Sequence, residues 1–268
     1  MIMTEMYNTP EARRTLDEKY MTGYLRQAQW TEFTELKKII IELVERKKSP
    51  IDILDIGIGE ARIPIHLSQI EELWKFISRY DGIDISNVCL RLARKNVKLH
   101  NLSDKVNIKK FDARNLSQLL KSKQRYDLVI CTYFTAGDFV PDSYTFDEKI
   151  DLDDSEIKSA FQRVFKPALD LVQPLGELVL GSIYIDNAIT VARQREFYEN
   201  CGMTIINQKT PFTATKEGFW SLRFTKKRVY DFFNWVNPKL IQLIPLDTYD
   251  FAMMVRIRKN DKTKNNLK

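Results

Sequence analysis

Cysteine and histidine are scarce: the 268 residues include 3 cysteines and 2 histidines. Cys89, Cys131 and Cys201 are odd in number, far apart and without CxxC or Cys/His spacing, so neither a disulfide framework nor a zinc site is indicated. They are expected to be reduced, mostly buried thiols. His66 falls in a helical pattern after a glycine turn and His100 at the end of another, both away from the expected mouth of a site. Histidine-based acid–base chemistry therefore has little to draw on. No apolar run approaches a membrane span, and the first residues lack a basic-then-apolar signal, so the expectation is a cytoplasmic protein without a membrane partner. Internal repeats are absent too. With 44% hydrophobic and 29% charged residues the chain can bury a substantial core as one unit.

The formal charge is +6, but its distribution argues against a nucleic-acid partner. Much of the excess lies in 259–268, a polar basic tail expected to be disordered, and in lysines on helix faces. By contrast, Asp138, Asp142, Asp147, Glu148, Asp151, Asp153, Asp154 and Glu156 face a single Lys149 within one segment. A phosphate backbone would be repelled there. These carboxylates lack the alternation and central glycine of a calcium loop, so no metal is expected.

Periodicity predicts helices over 11–24 and 30–46, ended at Ser49-Pro50, followed by alternating strands and helices. Strands are expected at 51–56, 80–85, 106–111, 127–133 and 177–184. Helices are expected at 61–78, with Pro64 tolerated in the first turn, and at 88–99, 116–121, 155–172 and 188–198. Later, 203–207, 240–244 and 250–258 are strand-like, and Thr225 is placed to cap a helix over 226–236. This order predicts an α/β sheet of mainly parallel strands with a late antiparallel strand and helices on both faces.

The run Ile51-Asp-Ile-Leu-Asp-Ile-Gly-Ile-Gly-Glu-Ala-Arg62 reads as a buried strand breaking at two glycines into a helix start. A dinucleotide fingerprint would need a third glycine where Arg62 stands, and Asp55 would repel a pyrophosphate, which argues against a nicotinamide dehydrogenase. An acidic strand end suits a cationic ligand. Two further strands also close on acids, at Asp84 and Asp112.

Three acidic strand ends in this order resemble the class I S-adenosylmethionine-dependent methyltransferases. The resemblance covers 50–184 with conviction and the remainder more loosely. It implies a Rossmann-like doubly wound sheet of seven strands, with 1–49 as a helical lid, 50–258 as the core and an insert near 208–237. It implies S-adenosyl-L-methionine as cofactor, with Asp55, Gly57 and Gly59 at the turn, Asp84 on the ribose hydroxyls and Asp112 beside the adenine amino group. Ile85, Ala113 and Thr132 at neighbouring strand ends, and Tyr24 from the lid, join this cofactor set. Glu60 departs from the small or hydroxyl residues common in the family at that place, and Arg62 is a candidate for the cofactor carboxylate or for a surface acid.

After the fourth strand there is no Asn-Pro-Pro-Tyr or Asp-Pro-Pro-Tyr, the mark of family members that methylate amide or base exocyclic nitrogens. Instead Tyr133, Phe134, Asp138 and Phe139 cluster there, aromatic faces with a carboxylate that suit an amine or another cationic small molecule. Tyr133 and Asp138 are the candidates for proton acceptance, and Phe134 and Phe139 for substrate contact or for packing of the loop. Tyr20, Trp220 and Arg223 are further substrate candidates, against the simpler readings of a buried helical stripe and a surface hairpin. The expected activity is methyl transfer to a small molecule, most directly at an amine nitrogen. RNA or protein side-chain methylation, and a cofactor-binding regulator without a methyl acceptor, are the alternatives. Oligomeric state is not encoded in any of these features.

Overall fold

In the computed structural model, which describes residues 7, 9–146, 152–209, 211–247 and 250–260, the chain reaches its sheet through two helices, α1 (Pro10–Arg14) and α2 (Gly23–Lys47). The helix expected over 11–24 is thus shorter: Thr9 caps α1 at Pro10, and Asp17 caps a separate 3₁₀ turn, Glu18–Tyr20. α2 in turn begins earlier than expected. Its 25 residues bury Leu25, Ala28, Glu32, Leu36, Ile39 and Leu43 at three- and four-residue intervals, which docks one stripe on the sheet. Lys48 ends it in the left-handed conformation, with its N–H donating to the Val44 carbonyl.

The sheet elements follow as β1 (Ile51–Ile56), α3 (Arg62–Ser68), α4 (Glu71–Trp74), β2 (Ile77–Asp84), α5 (Asn87–Leu99), β3 (Val106–Lys110) and β4 (Tyr126–Cys131). Then come α6 (Asp154–Leu171), β5 (Val172–Ile185), α7 (Ala188–Asn200), β6 (Ile205–Asn207), β7 (Phe212–Thr215), β8 (Trp220–Phe224), α8 (Lys226–Phe232), β9 (Ile241–Pro245) and β10 (Ala252–Arg258). The helix expected over 61–78 is broken at Gln69 and Ile70 into α3 and α4, and its last two residues belong to β2, where Ile77 pairs with Ile51 and the Ser78 hydroxyl donates to the Ile51 carbonyl. Proline inside α6, Pro167, is accommodated without ending the helix.

Strands β3-β2-β1-β4-β5 are parallel, β10 lies antiparallel beside β5, and β9 pairs antiparallel with β10. This is the expected sheet of seven strands, with β10 as the late reversed one. β8, β7 and β6 extend this sheet to ten strands as an antiparallel unit, attached where Tyr184 and Ile185 of β5 pair in parallel with Arg223 and Phe224. Alternate strand residues feed two apolar clusters. Ile53, Ile130 and Val179 pack with α2 and α5, whereas Leu54, Val129 and Leu178 pack with α6 and α8.

At the amino ends of the strands the buried charges are paired. Glu177 accepts from Arg46 and Arg256, Arg256 also reaches Glu42, and Lys47 pairs with Asp127. Among the described residues no helix is long and apolar enough to cross a membrane. Asp147, Glu148 and Asp151 of the acidic segment and the tail from 261 onward lie outside the described residues.

Candidate functional site

A cleft opens at the carboxyl ends of the parallel strands, where an open α/β sheet holds its ligands. Its floor is the turn after β1. Gly57 and Gly59 both have positive φ, +76° and +57°, which favours glycine. A Cβ on Gly57 would lie 2.5 Å from Thr135 Cγ2, whereas one on Gly59 would meet nothing within 4 Å. The turn is therefore tight on one side and open to a ligand on the other.

Asp84 ends β2 and locks this turn, accepting from the Gly59 N–H at 3.0 Å and the Ser86 N–H at 2.8 Å. Burial raises its carboxyl above the ordinary range despite those bonds. Asp112 follows β3. Its burial would raise the carboxyl, but two-pronged bonds from the Arg114 guanidinium at 2.7–3.0 Å and the Arg114 N–H outweigh this and hold it below the usual range. Ile85, Ala113, Thr132 and Glu60 line the same cleft, and burial raises the Glu60 carboxyl as well.

Tyr133 and Phe134, directly after β4, have φ of +51° and +63°. Two consecutive non-glycine residues in this region cost on the order of 1–3 kcal/mol each, and such strain clusters at functional sites. The turn is held by the Phe134 N–H donating to the Ser182 carbonyl at 2.8 Å and by Phe134 stacking on Tyr184 at 3.8 Å. The Tyr133 hydroxyl is buried without a hydrogen-bond partner, and desolvation raises its pKa, so at neutral pH it keeps its proton. That makes it a poor base. Asp138 is different: it is 7% exposed, lines the cleft, and no described residue makes a hydrogen bond or ion pair with its carboxyl. Burial alone pushes its pKa well above the carboxylate range. Phe139 lines the cleft beside it, edge-on to Phe165.

Five candidates do not line the cleft. Asp55 is buried behind the turn, with one oxygen accepting from the Tyr80 hydroxyl at 2.6 Å and the other unpartnered. Tyr24 turns its hydroxyl to the Arg193 carbonyl and Glu196 of α7, and Tyr20 lies beneath Arg14 and Lys19. Trp220, 0% exposed, stacks on Phe212 at 4.0 Å, and Arg223 is consumed by Asp186, Gln194, Thr213 and two carbonyls. Both stand on the antiparallel β7–β8 hairpin, stabilised by an aromatic as the simpler reading expects, but they are buried structural residues rather than surface ones, and neither contacts the cleft. Their neighbours Phe219 and Ser221 do reach the cleft. The segment was well chosen and the face was off by one residue, which in a strand inverts every side chain.

The sequence reading also missed Tyr7, Tyr198 and Glu32. Tyr7 and Tyr198 line the cleft, and Tyr7 meets Phe219 edge-on at 6.0 Å. Glu32 had a legible signal: it stands in the apolar stripe of α2, between Ala28 and Leu36. Its carboxylate is fully buried and accepts from the Tyr133 N–H, the Ser182 N–H and Arg62. Arg62, which lines the cleft, is thereby paired with an acid of α2 and lies 5.1 Å from the Tyr133 ring centroid.

Asp55 makes a test of these electrostatics. Burial raises its pKa from 3.8 to about 7, so between those values the folded chain keeps a proton that the unfolded chain has released. Stability should fall as pH climbs through that window, by up to about 1.4 kcal/mol per pH unit, and level off above it. Asp55→Asn retains an acceptor for Tyr80 and should flatten the decline in urea unfolding across pH 4–8; an unchanged slope would count against this account. Asp138 contributes a decline of the same sign, so some slope remains.

Residues 47–234 match the family described as "Methyltransferase domain". The release factor glutamine methyltransferase of Lactococcus lactis subsp. lactis (strain IL1403) is 28% identical over 145 residues, 48% of this chain and 47% of that protein. The chain thus spans about half the length of the curated relative it matches. Magnesium protoporphyrin IX methyltransferase from Synechocystis PCC 6803 with bound SAH is similar in structure, with a TM-score of 0.57 at 10% identity over 96% of this chain and 98% of that one. The same enzyme with bound SAM gives 0.52 at 12% identity, over 96% and 95%. At such identities the likeness is one of fold.

Proposed function

The chain belongs to the methyltransferase domain family, and from that premise we propose that it methylates a small molecule, with an amine nitrogen as acceptor. Its cofactor is S-adenosylmethionine. The residues present suit that cofactor: an open glycine turn above which Gly59 leaves room, and acids at Asp84 and Asp112 able to accept from hydroxyl and amino groups. Gly57, Gly59 and Asp84 would hold its ribose and amino-acid parts, and Asp112 and Ala113 its adenine. When bound, it supplies a methyl group on a sulfonium, open to in-line displacement by a neutral nucleophile.

The observation that carries the acceptor class is Asp138, a buried carboxyl residue that lines the cleft and has no hydrogen-bond or ion-pair partner among the described residues. Leaving such a group unpaired is costly unless a ligand completes it. An ammonium does so in two ways: it pairs with the carboxylate, and it can pass its proton to Asp138, whose raised pKa makes it a competent acceptor, to leave the free amine. Tyr133, Phe134, Tyr184 and Phe219 line the same cleft with aromatic side chains, which favour a cation and help to keep water away. Alignment supplies the rest of the acceleration.

A panel of amines, phenols and carboxylates, with RNA and basic peptide alongside, tests this by release of S-adenosylhomocysteine. Amine-dependent release is expected. Turnover confined to RNA or peptide would replace the small-molecule reading, and cofactor binding with no turnover on any class would favour a regulatory protein.

A further inference from the structure

α2 buries an apolar stripe, and at its centre, where a leucine would continue the pattern, stands Glu32 at 0% exposure. A buried carboxylate with one cationic partner docks a helix less favourably than a leucine would, so packing does not account for it. What it holds does. One oxygen accepts from Arg62 at 3.0 Å; the other accepts from the Tyr133 N–H at 2.8 Å and from the Ser182 N–H. Position 181 is glycine, and a Cβ there would run into this carboxylate. The end of β5 is therefore shaped to admit it.

We infer that Glu32 is a positioning residue of the acceptor side: it holds the Tyr133–Phe134 turn in its left-handed conformation and fixes Arg62 against it. The inference rests on the reading of the cleft as the methyl-transfer site. From that turn the chain runs directly into a 3₁₀ helix, Thr135–Gly137, in which the Gly137 N–H donates to the Phe134 carbonyl at 2.8 Å and the Asp138 N–H to Thr135 at 3.0 Å. The direction of Asp138 is thus set four residues downstream of a backbone unusual for any residue with a side chain. Glu32 is the side chain that satisfies the Tyr133 N–H in this arrangement. It also ties four separate elements, α2, the helix after the glycine turn, the turn after β4 and the end of β5, to a single point.

The test uses Glu32→Leu, which continues the stripe, and Glu32→Gln, which keeps the shape and part of the accepting capacity. Backbone hydrogen exchange over 132–138 is measured without ligand, and S-adenosylhomocysteine affinity by titration calorimetry. In the leucine variant, exchange in that stretch should quicken about tenfold relative to the rest of the sheet and the affinity weaken about tenfold through loss of the Arg62 anchor, with the melting temperature lowered because Arg62 and two N–H groups lose their acceptor; glutamine should restore part of each. Exchange over 132–138 that matches wild type in both variants overturns the role of Glu32, even if the ligand binds. Faster exchange in a protein whose wild type binds no S-adenosylhomocysteine would instead sustain Glu32 and remove the methyl-transfer reading. Should the leucine variant fail to fold, the glutamine variant decides by the same exchange measurement.

Discussion

Asp138→Asn should lower methyl transfer to an amine by about a hundredfold or more, the scale of a lost general base, while S-adenosylhomocysteine affinity stays within about twofold. The amide is nearly isosteric with the carboxyl and leaves the aromatic surroundings in place, so the change isolates charge and proton acceptance. The pH dependence supplies the sign. Burial holds the Asp138 pKa well above its ordinary value, so at low pH the free carboxyl is already protonated and cannot take the proton of an incoming ammonium. kcat/KM for an amine should therefore rise as pH climbs through the Asp138 pKa and fall again once the acceptor itself is neutral and no longer attracted as a cation. In the asparagine variant the acid limb should vanish. Equal losses for amines and neutral phenols would show that Asp138 shapes the cleft rather than handling a proton.

Asp84→Ala should weaken S-adenosylmethionine and S-adenosylhomocysteine alike by about a hundredfold, on the scale of two lost hydrogen bonds to a charged group. This side chain serves on both sides of the turn. It accepts from the Gly59 and Ser86 N–H groups, and it still has accepting capacity toward the cleft that it lines. Its removal takes away a ligand contact and loosens the loop that shapes the floor. Calorimetry on the variant, with circular dichroism to establish folding, gives the answer; a folded variant that binds both compounds as tightly as wild type would remove Asp84 from the site.

The strand ends were legible because each is an apolar run stopped by an acid or a glycine, a local pattern that survives without knowledge of contacts. Asp84 and Asp112 were found that way and line one cleft, whereas Asp55, read by the same pattern, lies buried behind the turn; Asp138 came from the aromatic cluster after the fourth strand and lines the cleft too. Arg223 was misjudged for the opposite reason. Its partners Thr213, Gln194 and Asp186 lie 10, 29 and 37 residues away, and an arginine reads as exposed until such distant groups are seen to gather around it. Trp220 was missed by face, since strand β8 is too short and too uniformly buried for alternation to mark its inner side. Glu32 was visible as an acid in an apolar stripe, but that clue has meaning only once the stripe is followed along the whole of α2. The helix over 61–78 failed at its end because pairing of Ile77 with Ile51 outweighed a helical periodicity that continued through it.

α2 is about 37 Å long at the usual rise per residue, and it is fastened along its length. Tyr24 binds α7 at one end, Glu32 grips the centre, and Arg46 and Lys47 pair with Glu177 and Asp127 at the other. Such a rod works as a keel rather than a door. Swinging it would break ion pairs at the far side of the sheet, so the cleft wall that α2 supports through Glu32 can shift only if the whole rod does.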